Sequence, residues 1–379
     1  MKKEDLVSLL VYGLMIVIAV LVGLFVISGL FETYHHSSGN ANMGYAFLFV
    51  IVSIIFNVLL FEFAHVVGAK VGGYKIMSFN VLGFCFYRKE DKWKFKFANF
   101  DGLTGETKIA PKKEKTSPRP FALAPLIAYA LEIAAFLVIF FICSKQYALT
   151  PSVGVACILT IMSITIGGML ELYNIFPAHL DSTTDGYRLI ILAKKENIEA
   201  YNELMRIEAA YAEKKELNDM KTFENITDFT SQVNLYSVYQ HLKNDNYDAA
   251  EKLIDNIIAN KDKISRDTRC SALAQKMYIL LTKKTLDEAK KYYSDNLSQE
   301  DRRYISNDLS MQSIRAYLLI SSMLDISEHE ARFAISRVEK AQKKTAPGRL
   351  EIENKLYQIA LNKVDEIRPE WHIKEKEIR

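Results

Sequence analysis

Two short clusters of ionisable residues stand in otherwise apolar text. In the first, Leu60-Phe61-Glu62-Phe63-Ala64-His65-Val66-Val67, a carboxylate and an imidazole are spaced three apart. That spacing places both on one helix face, where they can reach the same object. The second runs Glu171-Leu172-Tyr173-Asn174-Ile175-Phe176-Pro177-Ala178-His179-Leu180-Asp181, followed by Asp185-Gly186. Asn174 and Pro177 stand where an apolar run ends, and Pro177 breaks the helix there. Ionisable groups inside an apolar span are costly unless paired, metal-bound or hydrated, which makes them functional candidates. Carboxylate and imidazole together are the groups of general-base and metal-ligand chemistry. The plainer alternative is that Glu62 and His65 snorkel or pair with each other at a helix end and do nothing more.

The elements that carry these clusters follow from hydropathy. The 379 residues are 50% hydrophobic and 25% charged, with a formal net charge of +3. The apolar residues crowd into the first half, the charged ones into the second. Four segments have the length and lack of charge needed to cross a bilayer: about 6–30, 45–67, 121–143 and 152–176. The first is read as a retained helix, not a cleaved signal. Twelve Lys and Arg fall between Gly68 and Pro120, whereas 31–43 has none and 144–151 only Lys145. The positive-inside rule then places the basic segment, and with it both termini, in the cytoplasm of a multi-pass integral membrane protein. If so, the Glu62 and Asn174 ends of their helices lie on the same side and can meet.

Between the second and third apolar segments the period changes to two. Lys75 to Tyr87, a charged turn at Arg88 to Asp91 and the alternating Lys92 to Phe97 predict a small β-hairpin over about 75–100. Trp93, Phe95 and Phe97 share one face and three lysines the other, which suits either a sheet at the membrane surface or a hairpin packed on protein. Lys112 to Pro120 reads as a loop. Residues 1–190 thus form a mainly α transmembrane domain with a hairpin.

Residues 191–379 read as a soluble, all-α cytoplasmic domain. Asp248-Ala249-Ala250, Asp287-Glu288-Ala289 and His329-Glu330-Ala331 each open a helix after an apolar one, about 40 residues apart. That is near the period of tetratricopeptide-like helical-hairpin repeats, and an ordinary bundle is the alternative. Either form suggests a platform for a cytoplasmic protein partner. The near-zero net charge and the lack of an aromatic-basic stripe exclude nucleic acid as a partner. Cys85, Cys143, Cys157 and Cys270 form no pair with metal or disulfide spacing and read as small hydrophobes or idle thiols.

Over about residues 45–190 the sequence resembles the site-2 protease family of intramembrane zinc metallopeptidases. The resemblance rests on Glu62 and His65 as the last two functional positions of a His-Glu-x-x-His helix, on Asn174 and Pro177 as an Asn-x-x-Pro segment, and on Asp185-Gly186. Gly73-Tyr74-Lys75 and Gly105 to Pro111 also look like bacterial members with a helical C-terminal extension. The resemblance implies a zinc ion held by His65 and Asp185, with Glu62 as general base and Asn174 positioning substrate or the oxyanion. It also implies cleavage of transmembrane or membrane-adjacent peptides at or within the bilayer.

One position departs from the pattern. Phe61 stands where the family has its first histidine, and its ring has no lone pair for a metal. Two protein ligands remain where catalytic zinc sites have three. Either His179 or Asp181 supplies the third, or Glu62 turns from base to ligand, or the chain is a degenerate relative that binds peptides or partners without hydrolysis.

Overall fold

The computed structural model describes residues 3–22, 24–25, 42–89, 92–97, 105–112, 116–144, 151–176, 184–215, 217 and 219–373. It is mainly helical, with one small antiparallel sheet, and divides into two compact units, Met1–Ile198 and Glu199–Arg379.

The first unit opens with α1 (Lys3–Val22) and α2 (Asn42–Val71) and continues, after the sheet, with α3 (Arg119–Ser144), α4 (Pro151–Ile175) and the short α5 (Asp185–Ile191). Three of these are long and apolar enough to cross a membrane: Phe47–Val71, Arg119–Ile142 and Ala156–Ile175. Their outward side chains, such as Phe47, Phe63, Leu131 and Val138, are exposed. These helices therefore combine the length to cross a membrane with an uncovered apolar outer face. The first apolar segment forms α1, while residues 23 and 26–30 of it lie outside the described residues.

The sheet has strand order β3-β2-β1-β4, all antiparallel, with β1 at Tyr74–Val81, β2 at Phe84–Lys89, β3 at Lys92–Phe97 and β4 at Gly105–Pro111. It therefore exceeds the hairpin expected from alternation. The run Lys75 to Tyr87 splits at Leu82 and Gly83, both at positive φ (51° and 83°). That is the two-residue turn that matches strand twist. The fourth strand was illegible because Gly105-Glu106-Thr107-Lys108-Ile109 has little apolar alternation, and its partner β1 lies far back in the chain. The rings of Phe84, Phe86, Phe95 and Phe97 form an exposed ladder on one face, with neighbouring centroids 5.0–6.3 Å apart.

The second unit holds most of α6 (Lys195–Ala212), which leads into α7 (Asp228–Lys243), α8 (Tyr247–Ala259), α9 (Arg266–Lys283), α10 (Leu286–Asn296), α11 (Gln299–Asn307), α12 (Met311–Met323), α13 (Glu328–Ser336), α14 (Val338–Lys344) and α15 (Pro347–Ile367). Ala250, Ala289 and Ala331 each occupy the fourth position of their helix and are fully buried. Asn246, Thr285 and Ser327 cap those three helices through side-chain oxygens. A small residue at the first turn lets each helix press against the one before it, and the cap holds that turn in place.

Candidate functional site

The polar residues around Asp185 come together where α2, β4, α3, α4 and α5 meet. Asp185 is the hub. It is buried at the first turn of α5, and its Oδ2 accepts from Asn174 Nδ2 at 2.7 Å while its own N–H donates back to Asn174 Oδ1 at 3.3 Å. Its Oδ1 accepts from Arg188 Nη1 at 3.0 Å, and His65 Nε2 lies 3.3 Å from Oδ2. The short α5 is anchored by Thr184, whose hydroxyl donates to the Phe176 carbonyl at 2.6 Å and accepts from the Tyr187 amide. Gly186 then packs directly on the end of α4. A Cβ there would sit 1.7 Å from the Ile175 carbonyl oxygen, so no other residue fits.

His65 is held on its other side as well. Its Nδ1 is 3.1 Å from the Phe121 carbonyl oxygen, which only accepts, so Nδ1 carries the proton. With Nδ1–H committed, Nε2 faces Asp185 Oδ2, and because a carboxylate oxygen only accepts, a direct hydrogen bond between them needs a second proton, on Nε2 or on the carboxyl. Two ligands bound at about 2.0–2.1 Å to one tetrahedral ion also stand about 3.3 Å apart, so the separation of this pair is compatible with a metal.

The remaining donors do not complete such a site. Phe61 is buried and packs edge-to-face with Tyr129, centroids 6.4 Å apart, so the position one turn before His65 offers hydrocarbon and no metal donor. Glu62 turns toward the sheet and accepts from the Thr107 hydroxyl at 2.6 Å. Gly105, on the same strand, gives it room, since a Cβ there would lie 2.2 Å from Glu62 Cγ. Among the described residues no three His, Cys, Asp or Glu side chains are grouped to hold a metal. His179 and Asp181, the expected substitutes, lie outside the described residues, as does Pro177. The described residues therefore do not fit a three-ligand catalytic zinc.

Two buried polar residues here, Glu132 and Asn57, escaped the sequence reading. Glu132 on α3 accepts from the Ser163 hydroxyl at 2.8 Å, and Asn57 on α2 donates to the Ser53 and Ser163 carbonyls at 2.9 and 3.1 Å. Their remaining oxygens, Glu132 Oε2 and Asn57 Oδ1, have no hydrogen-bond partner and both face Gly167. Glu171, one turn before Asn174, is buried with an unmatched Oε2. The signal for Glu132 was available: a lone carboxylate inside a long apolar run.

Comparison with family models, curated proteins and solved structures returned no match.

Proposed function

We propose that this chain is an integral membrane protein of site-2-protease-like design in which a direct His65–Asp185 contact has replaced the metal centre, and that it binds peptide without hydrolysing it. The observation that carries this reading is the pairing of the 3.3 Å His65–Asp185 contact with a buried Phe61 where a third ligand is required. Without the third ligand the remaining pair has no means to hold zinc against cellular competition. Glu62, bonded to Thr107, is then a positioning group between helix and sheet and not a base.

In this reading the apolar helices Phe47–Val71, Arg119–Ile142 and Ala156–Ile175 cross the bilayer together with the first apolar segment, and both termini are cytoplasmic. The peptide-binding part is the polar cluster with its adjoining strand. β4 pairs only with β1 among the described strands, so an extended segment added along its outer edge would pass the Glu62–Thr107 contact. The helical unit serves as a platform for a cytoplasmic protein partner.

Metal analysis of the detergent-purified chain tests this directly. Wild type is expected to hold no stoichiometric zinc, and Phe61→His is expected to acquire it. Zinc in wild type that is lost on His65→Ala would overturn the proposal in favour of a metallopeptidase with a ligand from 177–183.

A further inference from the structure

The helical unit contains a polar centre of a different kind, and its reading is independent of the one above. Arg315 and Glu353 are fully buried and paired. Arg315 Nη2 also donates to Gln275 Oε1 at 2.6 Å, and its guanidinium lies over the rings of Tyr278 and Tyr239, 5.0 and 5.7 Å from their centroids. Arg349 approaches the same carboxylate, with Nη2 3.3 Å from Glu353 Oε1, and stacks 4.8 Å from the Tyr239 centroid. Two guanidiniums thus share one carboxylate.

The hydrogen bonding is unbalanced in the same direction. Arg315 Nε, Arg349 Nε, Gln275 Nε2 and the hydroxyls of Tyr239 and Tyr278 are buried without a partner. Against these donors stand the Ser313 hydroxyl, itself also a donor, and Glu353 Oε1, which is within reach of the Tyr239 hydroxyl as well as of Arg349 Nη2. A bond between the Tyr239 hydroxyl and Glu353 Oε1 would still leave both guanidinium Nε atoms unmatched. Buried donors left unsatisfied cost on the order of 1–3 kcal/mol each, so a network of this kind calls for an acceptor.

A cavity of about 150 Å³ reaches this network at Arg349 and Tyr239, with Tyr236, Gln232 and Gln312 also on its wall. It is smaller than a drug-sized pocket and suits a group of about one amino-acid residue. Arg315 and Arg349 carry one positive charge more than Glu353, and the exposed Glu208 on the cavity wall partly offsets it, which disfavours a dianion and leaves a monoanion the better match.

We propose that this cavity binds a carboxylate of amino-acid size, either the C-terminal residue of a peptide or a free acid, seated on Arg349 and Tyr239. Calorimetric titration of the full chain in detergent tests it, using N-acetyl-leucine, N-acetyl-leucinamide, acetyl-triglycyl-leucine and inorganic phosphate as probes. The acid is expected to bind and the amide to bind at least about tenfold more weakly, the loss of a charge-assisted pair. Tighter binding of the tetrapeptide identifies a peptide end as the ligand, and equal binding a free acid. Arg349→Gln is expected to weaken the acid about tenfold, and Tyr239→Phe, which removes only a hydroxyl, severalfold. Equal binding of acid and amide, binding of phosphate alone, no binding of any probe, or unchanged affinity in Tyr239→Phe together with Arg349→Gln would overturn the proposal.

Discussion

Pro125 and His65 are joined through one carbonyl. Proline at position 125 of α3 has no N–H to give the carbonyl four residues earlier, and that carbonyl, Phe121, is the one His65 Nδ1 meets at 3.1 Å. A gap in one helix's ladder therefore orients the imidazole of another. Pro125→Ala restores the helical donor and sets it in competition with His65. The expected result is a loss of the fixed Nδ1–H tautomer, read from the nitrogen chemical shifts of histidine in labelled protein. An unchanged His65 ring would show that ring packing, with Phe121 at a centroid distance of 4.5 Å, is enough to hold it.

Asp185 collects three side-chain partners, so its replacement is expected to cost more than any one of them. Asp185→Asn keeps the shape but removes the charge facing Arg188 and His65. Breaking a buried pair leaves its partner's charge uncompensated. Because the Arg188 side chain is 30% exposed, the expected loss is about 2–3 kcal/mol, below that of a fully buried pair. The unfolding midpoint in detergent measures it. Arg188→Gln should cost less than half as much, because Asn174 and His65 still meet the carboxylate, and the reverse order would show that the Arg188 charge, not the hydrogen bonds, sets the hub.

What could be read in advance divides according to where each partner sits in the chain. Glu62 and His65 stood out because their spacing is local and their surroundings are apolar. Asn174 and Asp185 stood out because a proline marks the end of a helix beside them. Thr107 and Phe121, which hold Glu62 and His65, carry no sign of that role, since one comes from a strand with weak alternation and the other acts through its backbone. The register of β1 against β4 was hidden for the same reason. Glu132 was concealed by its own setting, a single carboxylate among apolar residues whose partners Asn57 and Ser163 come from two other helices.

The Asn57–Glu132–Ser163 contact ties three helices together, and its unmatched oxygens set the outcome of substitution. Glu132→Gln retains an acceptor for Ser163 and brings an N–H₂ toward Asn57 Oδ1, so stability should hold or rise. Glu132→Leu leaves the Ser163 O–H without its acceptor, while its oxygen still accepts from Asn57 Nδ2, and should cost about 1–3 kcal/mol. Gly167→Ala places a Cβ 2.3 Å from Asn57 Oδ1 and should cost a similar amount through overpacking. Thermal unfolding of the three variants side by side gives the order, and a Glu132→Gln variant as unstable as Glu132→Leu would disprove it.

Alkaline pH should weaken the helical unit before it affects anything acidic there. Burial, reinforced by the nearby Asp301 carboxylate, pushes the Cys270 thiol up to about 12. In the unfolded chain a thiol ionises near about 8.5. Below that pH it is neutral in both states and its contribution to stability is complete. Between about 8.5 and 12 only the unfolded state gives up the proton, so stability falls as pH rises. The buried hydroxyls of Tyr239 and Tyr278, raised by the same desolvation, extend the decline above about pH 10. Urea unfolding followed through the helical signal should show a midpoint that drops steadily from about pH 8.5 upward. Cys270→Ala should flatten the first part of that slope, up to about pH 10, and leave the tyrosine part intact. A slope below pH 10 that survives in Cys270→Ala would assign the sensitivity to another group.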